Sequence, residues 1–481
     1  MITRLKIDGF KSLVDVDILL GPFTCIAGAN AVGKSNLFDA LIFLSNLADK
    51  TLVEAARTVR SDGRKYNNIR DIFHNNGTDY GERISFEISM LIRSETEDDL
   101  GQPAEASITS VQYNLVLRYN ENNEGEPIVI EKEELLPISL SEARKNVLFK
   151  ASPSWKSDVI KGRRTVPFIS TNDGLVQIHQ EGRGGIGKYK PPKMQRTLLS
   201  NATGEYPTSF MVRHEMRSWR MLQLEPAALR ASDDFDSRRN AQIASNGAHL
   251  AATLYRLHNE NKEHDIYQRI ANNLSSIISG LDTVSVDKDE KRELLTLQVK
   301  YNNGAVFPAN TLSDGTLRFL GLAVLELDNT ADGVICFEEP ENGIHPLKIS
   351  AIIELLKRIA VDTNYKIDNE NPFRQVIINT HSPLVVSIVP EDSLLMADFE
   401  EYYDSKLKRK LQKTIFKFLT NTWREKGEQG STITKGALLK YLNPIDIEME
   451  VPAFPLLKIK HKRVIDRKGI QIQGILNFSE P

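Results

Sequence analysis

The sequence predicts an α/β protein with an antiparallel β subdomain, a short helical insertion and a small C-terminal extension, and three observations carry that reading. The apolar run "FTCIA" opens directly onto the glycine-bracketed stretch "GANAVGKSN", and a helical pattern follows it. Far along the chain two more apolar runs, "VICF" and "QVIINT", end abruptly in polar and charged residues. Between these regions, "RISFEISMLIR" and "ITSVQYNLVLRY" alternate with period two, as strands with one buried face do.

Taken in order, residues 1–27 read as three short strands, "RLKIDGF", "VDVDILL" and "FTCIAG". Leu37, Ala40, Leu41 and Leu44 share one face of a helix that is expected to run to about residue 60. A polar loop leads to the two alternating strands, and the turn "NENNEGEP" leads to a third, "IVIEKEEL". Residues 1–139 are therefore one unit holding the glycine-bracketed stretch. Residues 140–200 carry many Lys and Arg against few acids, among them Arg144, Lys145, Lys161, Arg163 and Arg164, and read as a basic, loop-rich insertion. Its "EGRGGIGKYKPPK" is expected to be irregular; the "GRGGIGK" within it lacks a preceding strand, and its Pro-Pro tail opens no helix well. Residues 201–282 form a helical subdomain, with Leu250, Leu254, Leu257, Ile266, Ile270 and Leu274 at helical spacing. Residues 283–395 begin with the hairpin "TVSVDKDEKRELLTLQVKY" and hold "VICF" and "QVIINT". Residues 396–481 are the C-terminal extension, in which Leu407, Leu411, Ile415 and Phe418 suggest an apolar helical stripe.

The chain has 481 residues, with 41% hydrophobic and 26% charged side chains, which is ordinary for a globular protein. A formal net charge of −3 gives no global polyanion-binding signature, so any nucleic-acid contact is local. The two cysteines, Cys25 and Cys336, lie in apolar runs and read as buried thiols. That usage, the lack of a leader-like N-terminus and the lack of ~20 consecutive apolar residues point to a cytoplasmic protein with no membrane partner.

"GANAVGKSN" fits the phosphate-loop pattern, G-x-x-x-x-G-K-[ST]. Gly28, Asn30, Gly33, Lys34, Ser35 and Asn36 would cradle a nucleotide's phosphates. The glycines let backbone N–H groups converge, Lys34 reaches the outer phosphates, and Ser35 offers a hydroxyl to Mg²⁺. "VICF" ends in Glu338 and Glu339, and carboxylates at the C-terminal end of a buried parallel strand face the ligand crevice of open α/β sheets. One would hold the metal shell and the other would polarise the attacking water. "QVIINT" runs into His381, placed to meet a γ-phosphate or that water. "TLSDGT" puts Ser313 and Gly315 at a helix N-terminus, a second anion site.

Together these pieces resemble the ABC-type P-loop ATPase heads of the SMC, RecF and OLD group. "KIDGFKSL" is similar to their opening strand, "GANAVGKSN" to Walker A, "TLSDGT" to the signature motif, "FEEPENGIHP" to Walker B and "NTHSP" to the switch-histidine strand. The resemblance spans about residues 1–120 and 200–395 and implies ATP and Mg²⁺ as cofactors. It implies Ser35 and Glu338 as metal residues, Glu339 as general base and His381 as γ-phosphate sensor. It also implies head-to-tail dimers or higher oligomers, in which Ser313 and Gly315 complete the partner's site. Glu338 stands where many of these heads carry Asp; Mg²⁺ demands tight geometry, and slow hydrolysis is the expectation. No glutamine is assigned to the Q-loop; "NNIRDIFHNNG" lies where it is expected and contains none.

No nuclease centre of the chain's own is expected. The acids of "DIEMEV" lie outside any strand–helix alternation, and the nine histidines are scattered. Compact heads of this kind resemble the ATPases of antiphage systems of the Septu and PARIS type. That resemblance implies an ATP-gated sensor or scaffold controlling a partner nuclease or toxin. The alternative is a RecF/SMC-like DNA-repair ATPase that binds DNA directly. The basic insertion and the Lys-rich stretches "KLKRKLQKTIFKF" and "KIKHKRVIDRKG" are candidate nucleic-acid or partner faces.

Overall fold

The computed structural model describes residues 1–59, 68–97, 101–122, 125–181, 185–238, 241–260, 265–404, 408–427 and 431–442, to which every structural statement refers. Two large sheets organise them. The central sheet runs in the order Arg220–Leu222, Gly333–Glu338, Arg374–Thr380, Phe23–Ala27, Leu394–Asp404, Arg409–Phe418 and Ser431–Thr432. Its first five strands are parallel. Leu394–Asp404 then pairs antiparallel with Arg409–Phe418. Phe23–Ala27 and Arg374–Thr380 are buried at every position, which is why both read as unbroken apolar runs.

The second sheet is antiparallel and has eight strands, from Ile186–Tyr189 at one edge to Val16–Leu19 at the other. Helix Lys34–Leu47 lies between the sheets. Its Leu37, Phe38, Leu41 and Leu44 join a core shared with Ile26, Cys336 and Ile377 on one side and Leu5 and Ile88 on the other. Phe43 sits 5.8 Å from Phe10 and 6.0 Å from Phe86, ring centroid to centroid. Each such side chain, fully buried, contributes about 1.5–3 kcal/mol over leaving it in water. The far face of the central sheet, with Cys25, Ile335, Phe337 and Ile378, packs on helices Leu250–Glu260, Asp314–Leu327 and Ile349–Ile359. Both cysteines are buried and free, and burial pushes both thiols up.

Four expectations need correction. The helix after the phosphate loop stops at Leu47, and a second helix, Leu52–Thr58, starts behind a capping box built by Thr51 and Glu54. Residues 140–200 hold more regular structure than expected. Helices Leu140–Asn146 and Pro153–Val159 start at Ser139 and Ser152 caps, and strands Ile169–Asn172, Leu175–His179 and Ile186–Tyr189 extend the antiparallel sheet. Their basic residues sit on the wet side of elements whose other side buries Trp155, Ile169, Val176 and Ile178. The third correction concerns the stripe in the tail. Arg409–Phe418 is a strand, alternately burying Thr414, Phe416 and Phe418, and Leu407 lies outside the described residues. Finally, the boundary at residue 395 falls inside strand Leu394–Asp404, so the extension begins within the central sheet. The "DIEMEV" and "KIKHKRVIDRKG" segments lie outside the described residues.

Candidate functional site

Register decides what meets at the C-terminal edge of the parallel strands. Leu222 pairs with Phe337, Glu338 with Asn379, and Thr380 with Ala27. Gln223, Glu338, Asn379 and the start of the phosphate loop therefore emerge side by side. They open on a cavity of ≈ 570 Å³, lined among others by Asn30, Lys34, Ser35, Gln223, Glu338 and Glu339.

The phosphate loop is held from behind by the C-terminal strands. Gly33 has φ +92°, and a Cβ there would fall 2.3 Å from Thr414 Oγ1 and 2.5 Å from Ser12 Oγ. At Gly28 a Cβ would stand 2.5 Å from the Ala397 carbonyl oxygen. Only glycine fits either approach. Ser12 Oγ and Thr414 Oγ1 hydrogen-bond at 2.8 Å, and Asn36 Nδ2 donates to the same Ser12 oxygen at 2.8 Å. Lys34 Nζ donates to the carbonyls of Gly28 at 2.8 Å and Ala29 at 2.7 Å. Burial lowers the Lys34 ammonium's pKa, against the opposing pull of Glu339, Glu341 and Glu338.

The two carboxylates are differently equipped. Glu338 receives a hydrogen bond on each oxygen, from Asn379 Nδ2 at 3.3 Å and from Gln223 Nε2 at 3.0 Å. Glu339 sits just past the strand end at φ +44°, a left-handed conformation uncommon for a residue with a side chain. Its carboxylate meets His381 Nδ1 at 2.7 Å and accepts from Asn342 Nδ2 at 2.7 Å. Glu341, 7% exposed, accepts from the Thr380 hydroxyl, and Thr380 Oγ1 accepts the Ser382 N–H at 2.9 Å, so the turn carrying His381 is tied down. Burial pushes the Glu341 carboxyl up.

Of the residues singled out from sequence, Asn30, Gly33, Lys34, Ser35, Asn36, Glu338 and Glu339 line one cavity. Gly28 reaches it through Lys34, and His381 through Glu339. Ser313 and Gly315 do not line it. Ser313 caps helix Asp314–Leu327, its Oγ accepting from Thr316 N, while Arg318, farther along that helix, does line the cavity. Sequence reasoning missed Gln223, Asn379, Glu341 and Asn342. Gln223 follows a strand of three residues, too short to show a period, and only the adjacency of that strand to Gly333–Glu338 reveals it. Asn379 stood inside the quoted "QVIINT", and the cue was a polar residue opposite the acids.

Among the described residues no cluster of three or more His, Cys, Asp or Glu side chains could hold a metal alone. The oxygens of Ser35, Glu338 and Gln223 are the hard donors that suit Mg²⁺, which commonly completes its shell with substrate phosphates and water.

Residues 178–387 match the family described as "AAA domain, putative AbiEii toxin, Type IV TA system". Residues 1–155 match the family described as "AAA ATPase domain". The second match holds the phosphate loop and the first holds the paired carboxylates, so both parts of the cavity lie in stretches similar to AAA-type ATPase domains. No curated protein matches the chain. Among solved structures it is similar to an Smc head bound to the C-winged helix domain of ScpA, at 13% identity and a TM-score of 0.43, covering 87% of this chain and 98% of that one. It is also similar to an Smc head with an extended coiled coil bound to the C-terminal domain of ScpA, derived from Pyrococcus furiosus, at 12% identity and 0.41, covering 87% and 96%. The SMC head from Thermotoga maritima matches at 12% identity and 0.36, covering 86% and 98%.

Proposed function

We propose that the protein binds ATP with Mg²⁺, hydrolyses it slowly, and acts as the sensor or scaffold of an antiviral defence complex whose effector is a partner nuclease or toxin. The observation that supports the ATPase reading best is the single cavity shared by Lys34, Ser35, Glu338 and Glu339 at the C-terminal edge of the parallel strands. On this reading Lys34 Nζ exchanges the Gly28 and Ala29 carbonyls for phosphate oxygens. Ser35 and Glu338 hold Mg²⁺, with the Gln223 amide beside them; the bound ion supplies charge neutralisation on the phosphates. Glu339, oriented by His381 and Asn342, takes the proton of the attacking water. Ser313 and Gly315 serve the site of a second copy of the chain.

The toxin-related family description over residues 178–387 supports the defence role. Two experiments test the reading. Isothermal titration should show ATP binding by the wild type and none by Lys34→Ala, which removes the loop's cation; equal affinities would sink the nucleotide site. Expressed with its genomic neighbours, the wild type should lower phage plaque counts and Lys34→Ala should not. Equal plaque counts for both would remove the defence role.

The DNA-repair reading draws on exposed basic residues outside the cavity, Arg144, Lys145, Lys150, Lys161 and Arg163. It requires the isolated chain to bind DNA with a strong salt dependence.

A further inference from the structure

Strand Arg374–Thr380 is apolar and fully buried through Val376, Ile377 and Ile378, yet its next residue is Asn379, 2% exposed. Asparagine is a poor strand former, and burying its amide costs free energy unless both polar atoms find partners. Both do, and both partners belong to the pair of acids on the neighbouring strand. Nδ2 donates to Glu338 Oε1 at 3.3 Å, and Oδ1 accepts the Glu339 N–H at 3.1 Å. That N–H is shared with the Asn379 carbonyl at 3.0 Å, so one residue grips the Glu339 peptide twice. The grip falls where the chain needs it, because Glu339 has φ +44° and no glycine to ease the turn. The turn sends the Glu339 carboxylate toward His381 and Asn342 instead of onward along the strand.

We infer that Asn379 is a positioning residue for hydrolysis. Through its side-chain oxygen it holds Glu339 in the left-handed turn that presents the base, and through its amide it fixes the rotamer of Glu338. This rests on the ATPase reading of the cavity and adds to it a residue that itself carries no chemistry. An ordinary buried strand residue in its place would leave the Glu339 peptide held by one bond and Glu338 without its contact from the neighbouring strand.

The test compares the wild type with Asn379→Ala and Asn379→Ser. Serine keeps a small neutral polar group at the buried position but is too short to make both bonds, so it remains informative where alanine fails to fold. For each protein the ATP-binding stoichiometry gives the active fraction, titration gives Kd, and steady-state turnover per active site gives kcat. The expected result is a Kd within about twofold of wild type and a kcat lower by about 10–100-fold, the usual cost of losing a partner that orients a working ligand. Unchanged kcat per active site in both variants overturns the inference, as does a Kd weakened as much as kcat falls. A wild type that binds no ATP overturns the ATPase reading itself, whatever the variants do.

Discussion

At the scale of single residues, the proposed ATPase reading divides the site into groups that would meet the nucleotide and groups that hold those in place. Lys34 and Glu339 belong to the first kind. Glu339→Gln removes the proton acceptor while keeping the Asn342 contact, so ATP affinity should stay near wild type and turnover should fall by about 10²–10⁴. A phosphate-release assay beside an affinity measurement checks both halves, and undiminished turnover would place the base elsewhere. Gly33 belongs to the second kind. Alanine there would drive a methyl group into Thr414 Oγ1 and Ser12 Oγ at 2.3 and 2.5 Å, from a left-handed backbone. Gly33→Ala should therefore weaken ATP binding by at least tenfold, where Ala31, already at φ +67° with a side chain, tolerates Ser. Equal affinity of the two variants would count against the packed loop. The phosphate-loop residues and the paired acids of the cavity were legible in the sequence because each is tied to a local pattern: the glycine spacing, or acids ending an apolar run. Gln223 and Asn379 were not, because what marks them is register with the strand of the acids, 115 residues from Gln223 to Glu338 and 41 from Asn379.

At the scale of elements, the parallel strands and the helix Lys34–Leu47 were readable because complete burial forces apolar runs and a two-sided helix face. The strands of 140–200 were hidden by surface charge, although Asp173-Gly174, both at positive φ, is the two-residue turn that joins Ile169–Asn172 to Leu175–His179. Ile415 and Phe418 fit a helical spacing, but Thr414, Phe416 and Phe418 lie at every second position, and it is these that the strand buries. One element junction carries a pH prediction. Glu133, on strand Ile128–Pro137 and wholly buried, accepts the N–H groups of Leu198 at 2.8 Å and Leu199 at 3.0 Å and the Tyr113 hydroxyl at 3.1 Å. Burial outweighs these bonds and pushes its carboxyl from 4.5 up to about 7. A folded-state pKa above the unfolded one means the native chain binds the extra proton between those values. Stability is therefore lost as pH rises from about 4.5 through 7, by on the order of 3 kcal/mol. Glu133→Gln cannot titrate, so its melting temperature should fall less than that of wild type between pH 5 and 8. Parallel curves would show that Glu133 titrates alike in both states.

At the scale of the whole molecule, the arrangement leaves one sequence-marked pair away from the cavity. Ser313 is exposed at the N-terminus of helix Asp314–Leu327, and neither it nor Gly315 lines the pocket that holds Lys34 and Glu338. On the proposed reading, this helix start away from the chain's own cavity would serve the cavity of a second copy, with two composite sites per symmetric pair. That geometry makes a sharp genetic prediction. Lys34→Ala destroys the phosphate loop of its own chain and Ser313→Arg blocks the turn it lends to its partner, so each protein alone should be inactive. In a mixed dimer, one site takes both defects and the other takes neither. Combining the two inactive proteins should therefore restore turnover to about one quarter of wild type when chains pair at random, since half the dimers are mixed and each has one of two sites intact. The assay is phosphate release after co-refolding or co-expression, with mixing verified by differently tagged chains. Absence of recovery in verified mixed dimers would mean that Ser313 acts within its own chain, and the helix start would then need a route to the cavity through Arg318 on the same helix.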